Sequence, residues 1–323
     1  MPADALTHEP VLAHEVVALL DVAAGMTVVD GTFGAGGHAA MLAEQMHGRG
    51  AYVAVDRDPS VESRARAFRA AHPDMAVRLM QRDFVDAFRS LAVEGVKADA
   101  ILLDLGVSSM QIDQPERGFS YTVDAPLDMR MDPRGGETAA DLLARLPERE
   151  LAELFARYGE ERYSRQIARA ICRRRRERPY ERSGDLVETI RRAIPTPAQF
   201  GAGHPAKRVF QALRIAVNDE LRMVDEGLEA ALRILKPGGR IAVISFHSLE
   251  DRIVKERFRR AAQPCTCPPD LPVCACGREA TLRVLTPRVI RPGTAEADRN
   301  PRSASSRLRA AERTQTPLDG VEG

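Results

Sequence analysis

Four short strand-like runs in the first third of the chain each end on an aspartate: "TVVD" at Asp30, "AYVAVD" at Asp56, "VRLMQRD" at Asp83 and "AILLD" at Asp104, and all but the third are apolar almost throughout. The first leads directly into "GTFGAGGHAA", a loop with four glycines. Runs that are apolar almost throughout suit strands buried on both faces, as in a parallel sheet covered by helices. The stretches between them are amphipathic. The alternation predicts a doubly wound α/β sheet, with one strand inside "MTVVDGTFG" and others at Ala51–Asp58, Val77–Phe84 and Ala98–Gly106.

The alternation then stops for about a hundred residues, far longer than an ordinary connection. The intervening segments have helical spacing and no strand pattern. From Lys207 one long amphipathic helix is predicted, its apolar residues Phe210, Leu213, Val217, Leu221, Val224, Leu228, Leu232 and Leu235 stepping by three and four, with "KPGG" at 236–239 as its stop. A fifth strand at Arg240–Ser248 and the helix "LEDRIVKERFRRAA" resume the α/β pattern. In a chain of 323 residues this organisation places the sheet domain at 1–112 and 206–314, an inserted helical domain at 113–205, late edge strands within Thr281–Arg291 and Ser305–Arg313, and a disordered tail at 315–323.

The loop Gly34-Ala35-Gly36-Gly37-His38-Ala39 matches a dinucleotide-type pattern with alanine last, which alone does not choose a ligand. Asp56, about twenty residues on at a strand end, is placed to accept ribose hydroxyls. Asp30 stands immediately before the loop. A carboxylate there repels a pyrophosphate but suits the ammonium of a methionine moiety. Asp83 can accept from an adenine amino group and Phe84 can cover a purine. Acids after three successive strands fit S-adenosylmethionine better than NAD. A Walker-type phosphate loop is excluded, because no glycine-lysine-serine/threonine follows. Ordinary helix capping is the competing explanation for any one of these acids.

Ligands of open α/β sheets bind beyond the carboxyl ends of the strands, which places Asp104 at the reacting edge. Methyl transfer needs a free lone pair on the acceptor, and the lone pair of an exocyclic amine is delocalised into the ring. An oxygen acceptor aimed at the amino hydrogens draws the nitrogen toward tetrahedral geometry, and a carboxylate also stabilises the developing positive charge. This chemistry requires no metal.

"HEPVL", "DGTFGAGGH", "VAVDRD", "LLDLGVSS", "ERGFSY", "PLDMRMD", "RIAVNDEL" and "ISFHSLEDRIVK" occur in this order between His8 and Lys255. Together they resemble the bacterial ribosomal RNA small-subunit methyltransferase H family, also called MraW, and the likeness runs to about Arg313. It implies a class I S-adenosylmethionine-dependent, Rossmann-like fold and N4-methylation of a cytidine in 16S rRNA at the decoding region of the small ribosomal subunit. It also implies cofactor contacts by Gly36, Gly37, His38, Asp56, Phe84, Asp104 and Gln111. Where the family has proline before that glutamine, this chain has Met110. A pocket for the target base is implied at Pro126–Asp132, with Asp128, and at Asn218 and His247. A histidine after a buried strand is as readily a core residue, and Asp128 and Asp132 can simply fix a loop. Lys207, Gln211, Arg214 and Asn218 step by four, three and four along one helix as a polar stripe, and uncharged members within it favour a polar contact.

Net charge is only +1, so RNA affinity must come from a local patch. Arg162 to Arg192 supplies one, with eleven arginines against four acids. Arg165, Arg169, Arg173, Arg174, Arg175 and Arg176, with Lys207 and Arg214, are the expected phosphate contacts. Aromatic residues are only 5% of the chain, which favours recognition of RNA shape and phosphate with one base extruded. Cys265, Cys267, Cys274 and Cys276 form a C-x-C-x6-C-x-C pattern, a candidate structural zinc site whose one-residue spacing departs from the usual two. Cys172 lies among apolar neighbours and is expected in the core. An odd count of five cysteines argues against a disulfide framework. No apolar run is long enough to span a membrane, and the N-terminus lacks a basic start followed by an apolar stretch. A cytoplasmic protein is expected. Whether it is a monomer or homodimer is undecided at this point, and two other classes stay open: an amino methyltransferase with another acceptor, and a non-catalytic RNA-binding assembly factor.

Overall fold

The computed structural model describes residues 10–199, 204–263, 265, 267 and 276–318. The chain divides into two compact units: one from residues 1–106 and 221–323, the other Val107–Glu220. The first begins with α1 (Ala13–Leu20), β1 (Thr27–Asp30), α2 (Gly37–Gln45), β2 (Gly50–Val55), α3 (Glu62–Ala71), β3 (Met75–Met80), α4 (Phe84–Val93) and β4 (Ala98–Asp104). The second holds α5 (Ser109–Ile112), α6 (Ala139–Arg145), α7 (Glu148–Gly159), α8 (Ser164–Arg174), α9 (Ser183–Ala193), α10 (Thr196–Gln199) and α11 (Lys207–Asn218). The chain returns through α12 (Glu220–Ile234), β5 (Leu235–Ser245), α13 (Ser248–Ala262), β6 (Leu282–Val284), α14 (Thr294–Arg299) and β7 (Arg307–Arg313).

Among the described residues seven strands form one sheet, in the order β3-β2-β1-β4-β5-β7-β6. β1 to β5 pair in parallel and β7 runs against both of its neighbours. This is a Rossmann-like, doubly wound α/β sheet. The winding reverses between β1 and β4, and a ligand crevice forms at such a reversal. The central strands are apolar on both faces because helices cover both: Val28, Val29, Ile101, Leu102 and Leu103 are fully buried. One core face of this unit gathers Phe84 and Phe88 of α4 with Val224, Leu228 and Ile234 of α12. There Gly227 lets α12 meet the Phe84 ring directly; a methyl group at Gly227 would overlap that ring. Gly227→Ala is therefore expected to destabilise this unit by about 1–3 kcal/mol through overpacking. Gly135→Ala, where nothing lies within 4 Å, should stay within about 0.5 kcal/mol. Urea denaturation midpoints of the two variants check this.

Several expectations are corrected. The helix from Lys207 is two helices, because Asp219 takes a left-handed conformation (φ 52°) and closes α11, its N–H bonded to the Ile215 carbonyl. "KPGG" does not end a helix. Leu235 already pairs with Ala98, and Arg240 with Ala100, so 236–239 bulge out of β5 while the Lys236 amine grips both Asp99 oxygens at 2.8 Å. The third strand is Met75–Met80, ending before Asp83. β6 is an edge strand but β7 is internal, between β5 and β6. The second unit reaches Glu220, so α11 belongs with it and not with the resumed sheet domain. Of the tail expected to lack order, Thr316 bonds to Glu279 at 3.3 Å, and 319–323 lie outside the described residues.

The helical unit has a core of its own, including Leu143, Leu151, Phe155, Ile167, Ile190 and Leu213. Cys172 is buried there, as expected. Among the described residues, no helix is long and apolar enough to cross a membrane.

Candidate active site

The carboxyl ends of β1, β2 and β4 bring Asp30, Asp56 and Asp104 to one edge of the sheet, with the glycine loop between the first two. Asp30 is buried; its oxygens accept from the Tyr52 hydroxyl at 2.9 Å and the Thr32 N–H at 3.1 Å. Burial outweighs those bonds and pushes its carboxyl up to about 6. Burial also raises the Tyr52 phenol, which therefore stays a donor. Asp56 accepts from the Gly34 N–H at 2.8 Å and the Asp58 N–H at 2.9 Å, and burial pushes it up to about 6. It thereby holds the glycine loop against the end of β2, with acceptor capacity left on each oxygen.

The loop itself offers backbone. Gly34 and Gly36 have φ of 52° and 82°, and Gly36 caps α2 without a side chain. The first-turn N–H groups of α2 lack partners within the helix and favour an anion. His38 Nε2 lies 2.9 Å from the Val11 carbonyl, which can only accept, so Nε2 carries the proton. Its Nδ1 then faces Asp104 Oδ2 at 3.6 Å, too long for a hydrogen bond. Burial lowers His38, while burial and the nearby Glu250 charge push Asp104 up to about 7, so near neutrality the two are not a fixed ion pair. The Asp104 N–H donates to Thr32 Oγ1 at 2.6 Å, which fixes the end of β4 against the loop. The Asp104 side chain is 27% exposed, yet its Oδ1 is buried without a hydrogen-bond partner. A buried carboxylate oxygen in this state calls for a polar group that the protein itself does not supply.

Two expected purine contacts have other duties. Asp83 caps α4, accepting from the Asp86 N–H at 2.9 Å. The Phe84 ring is turned into the core, 6.0 Å from the Phe88 ring and against Gly227, so it does not present a face to a ligand. What Phe84 retains for a ligand is its N–H, at the first position of α4.

A family profile described as the MraW methylase family matches residues 5–314. The chain belongs to this family. Relatives called "Ribosomal RNA small subunit methyltransferase H" are 49% identical in Heliobacterium modesticaldum, over 95% of this chain and 98% of the relative, and 50% identical in Geobacter sulfurreducens, over 95% and 99%. Among solved structures, an rRNA methylase from Streptococcus thermophilus is similar over 96% of this chain and 99% of that one, at 10% identity and a TM-score of 0.42. As an MraW methylase the chain uses S-adenosylmethionine, and its residues fit that molecule. Asp30 offers a buried carboxylate for the ammonium, the bare N-terminus of α2 suits the carboxylate, and Asp56 suits the ribose diol.

The fit has a proton signature. Asp30 and Asp56 are held near 6 in the free protein, and a cation against Asp30 favours its ionised form. Below about pH 6 cofactor binding should release protons, and affinity should fall by up to about tenfold per pH unit. Above about pH 7 it should level off. Calorimetry in two buffers of different ionisation enthalpy checks both. For stability the sign is opposite. Between the unfolded value near 4 and the folded value near 6, the folded protein binds more protons, so the stability these groups contribute is lost as pH rises through about 6.

The family-implied base-pocket residues serve the fold locally. Asn218 is buried; its carbonyl accepts from the Met131 N–H and its amide donates to the Met129 carbonyl, both at 2.8 Å. It therefore positions the 126–132 loop. The expected polar contact of the stripe is protein backbone, since Gln211 donates to the Tyr158 carbonyl at 3.0 Å. Asp128 is locked in a two-point fork with Arg130, which outweighs burial and holds its carboxyl below the ordinary range. His247 caps α13, its Nδ1 3.4 Å from the Glu250 N–H, while Glu250 accepts from Phe246 N–H at 2.9 Å. Gln111 is buried and its carbonyl accepts from the Ser108 N–H at 3.0 Å.

Sequence reasoning missed Thr32, Tyr52 and Glu250. Tyr52 had a readable signal: a phenol in the middle of a buried strand needs a polar partner.

In the helical unit, Arg165, Arg169 and Arg173 follow one another by four along α8 and are exposed, with Arg176 exposed just beyond. Arg169 is only loosely drawn to Glu148, at 3.5 Å. Lys207 is exposed at the start of α11. Three expected phosphate contacts are withdrawn. Arg174 pairs with Asp185 at 2.7 Å over the Tyr180 ring. Arg175 binds the Leu143 and Leu146 carbonyls at 2.5 and 2.7 Å, closing the end of α6. Arg214 forks onto Glu220 with both bonds at 2.8 Å. Cys265, Cys267 and Cys276 lie together, whereas Cys274 lies outside the described residues.

Proposed function

We propose that this chain methylates N4 of a cytidine in 16S rRNA of the small ribosomal subunit, in the decoding region, and does so in the cytoplasm where that RNA resides. The observation that carries the amine assignment is Asp104 Oδ1, a buried acceptor without a partner at the end of β4. The names of the relatives and the order of motifs support the RNA assignment. S-adenosylmethionine, when bound, supplies an electrophilic methyl group on a sulfonium.

The chain's own part is to prepare the nucleophile. Asp104 accepts an N4 hydrogen, which draws the amine lone pair out of conjugation and stabilises the charge that forms. With the donor bound, the nitrogen would gain a carbon bond as the carbon–sulfur bond broke, and the Asp104 carboxylate, whose value near 7 suits both roles, would take the amine proton. The adenine contact is the Phe84 N–H, not its ring. Arg165, Arg169 and Arg173 hold RNA phosphates.

The test is methyl transfer from labelled S-adenosylmethionine to small ribosomal particles and to naked 16S rRNA, with nucleosides identified by mass spectrometry. N4-methylcytidine is the expected product, and mapping its position tests the decoding region. A different methylated nucleoside would overturn the acceptor assignment, and a labelled protein would overturn RNA as the substrate.

A further inference from the structure

Residues 263–280 connect α13 to β6, a long connection for a compact unit. Its sequence is rich in proline and poor in large apolar side chains, "QPCTCPPDLPVCACGREA", so it has little with which to build a core. Yet its two ends are joined. The Thr281 N–H donates to the Ala261 carbonyl at 2.9 Å. Just inside this neck are Cys265 and Cys267 on the outgoing strand of chain and Cys276 on the returning one.

The three sulfur atoms all lie within 4.8 Å of one another. Thiolates around a tetrahedral zinc, at about 2.3 Å from the metal, are about 3.8 Å apart, so this grouping needs little adjustment. Thiolates at such separations repel one another, and a divalent cation between them removes that repulsion. Three soft sulfur donors select zinc over hard cations. A metal bridging the two arms closes the loop where hydrophobic packing cannot.

We propose that Cys265, Cys267 and Cys276 bind one zinc ion that staples the neck of the 263–280 loop. The site uses none of the methyl-transfer residues, so it does not depend on the substrate assignment.

The experiment is elemental analysis of the full chain purified under reducing conditions without chelator. One zinc per chain is expected, released when the thiols are mercurated. Cys265→Ser combined with Cys276→Ser should abolish zinc binding, and Cys172→Ser should retain it. Trace zinc after reloading with the metal under reducing conditions would overturn the proposal. So would a chain that is lighter by two hydrogens from a disulfide among these cysteines, or full zinc retention by the double variant. If that variant does not fold, cobalt substitution of the intact chain answers the same question: a thiolate-to-cobalt charge-transfer band is expected, and its absence overturns the site.

Discussion

Asp104→Asn is expected to lower methyl transfer by about 10²–10³-fold, the scale on which a single preorganised electrostatic group acts on a transition state. The substitution keeps the shape of the strand end and the N–H that binds Thr32. It removes the negative charge and places an amide where the buried, unpartnered oxygen stands. Because the role lies in the transition state, the loss should fall on kcat, with cofactor affinity changed by no more than a few-fold. The wild-type rate should rise with pH through about 7, as Asp104 ionises, and then level off. The variant should lose that dependence. Single-turnover rates across pH, with calorimetric cofactor titrations on the same preparations, provide the check. A variant within threefold of wild type would remove Asp104 from the chemistry.

Reversing charge at Arg165, Arg169 and Arg173 together should weaken kcat/KM for ribosomal RNA by about 10²-fold or more, and should reduce the salt dependence of RNA binding by about two to three ions. These side chains are exposed, so Tm and cofactor affinity should hold. Arg175→Ala is the informative contrast. Its guanidinium satisfies two backbone carbonyls at the end of α6, so its loss should destabilise the helical unit by about 1–3 kcal/mol with a smaller effect on the salt slope. Filter binding at several salt concentrations, paired with thermal melts, separates the two classes. An unchanged salt slope in the triple variant would remove this face of α8 from RNA recognition.

The sheet was legible where both of its faces are covered. β1 and β4 read as continuous apolar runs because helices bury them on either side, and their terminal acids marked the ligand edge. β3 borders the sheet, with half-exposed positions along it, and its pattern drifted into the following loop. β7 hid its central position behind arginines: Arg309 is buried only because Asp251 takes its guanidinium at 2.6 Å. The turn at Asp219 was invisible because the apolar stepping continues across it with no glycine or proline. Aspartate tolerates the left-handed region well enough to serve there.

The site was legible in its acids and glycines and much less in its assignments. Strand-end aspartates are easy to find, but whether one faces a ligand or caps a helix depends on the next turn of chain, and Asp83 turned out to cap. A ring beside a pocket motif suggests stacking, yet the absent side chain of Gly227, far along the sequence, draws Phe84 inward. The arginine run shows the same limit. Every third or fourth residue stays outside, while Arg174 and Arg175 between them are taken up by the fold.

The strand order has a consequence for synthesis on the ribosome. The helical unit is one continuous stretch and can fold as soon as it emerges. The sheet cannot be completed then, because β7 inserts between β5 and β6 and is made after both. Until it arrives, β5 has β4 on one side and an open edge on the other, an exposed template for wrong pairings. The cofactor edge at β1 and β4 is thus built early, and the strand that seals the sheet comes late, so aggregation during translation should be most sensitive to changes in β7.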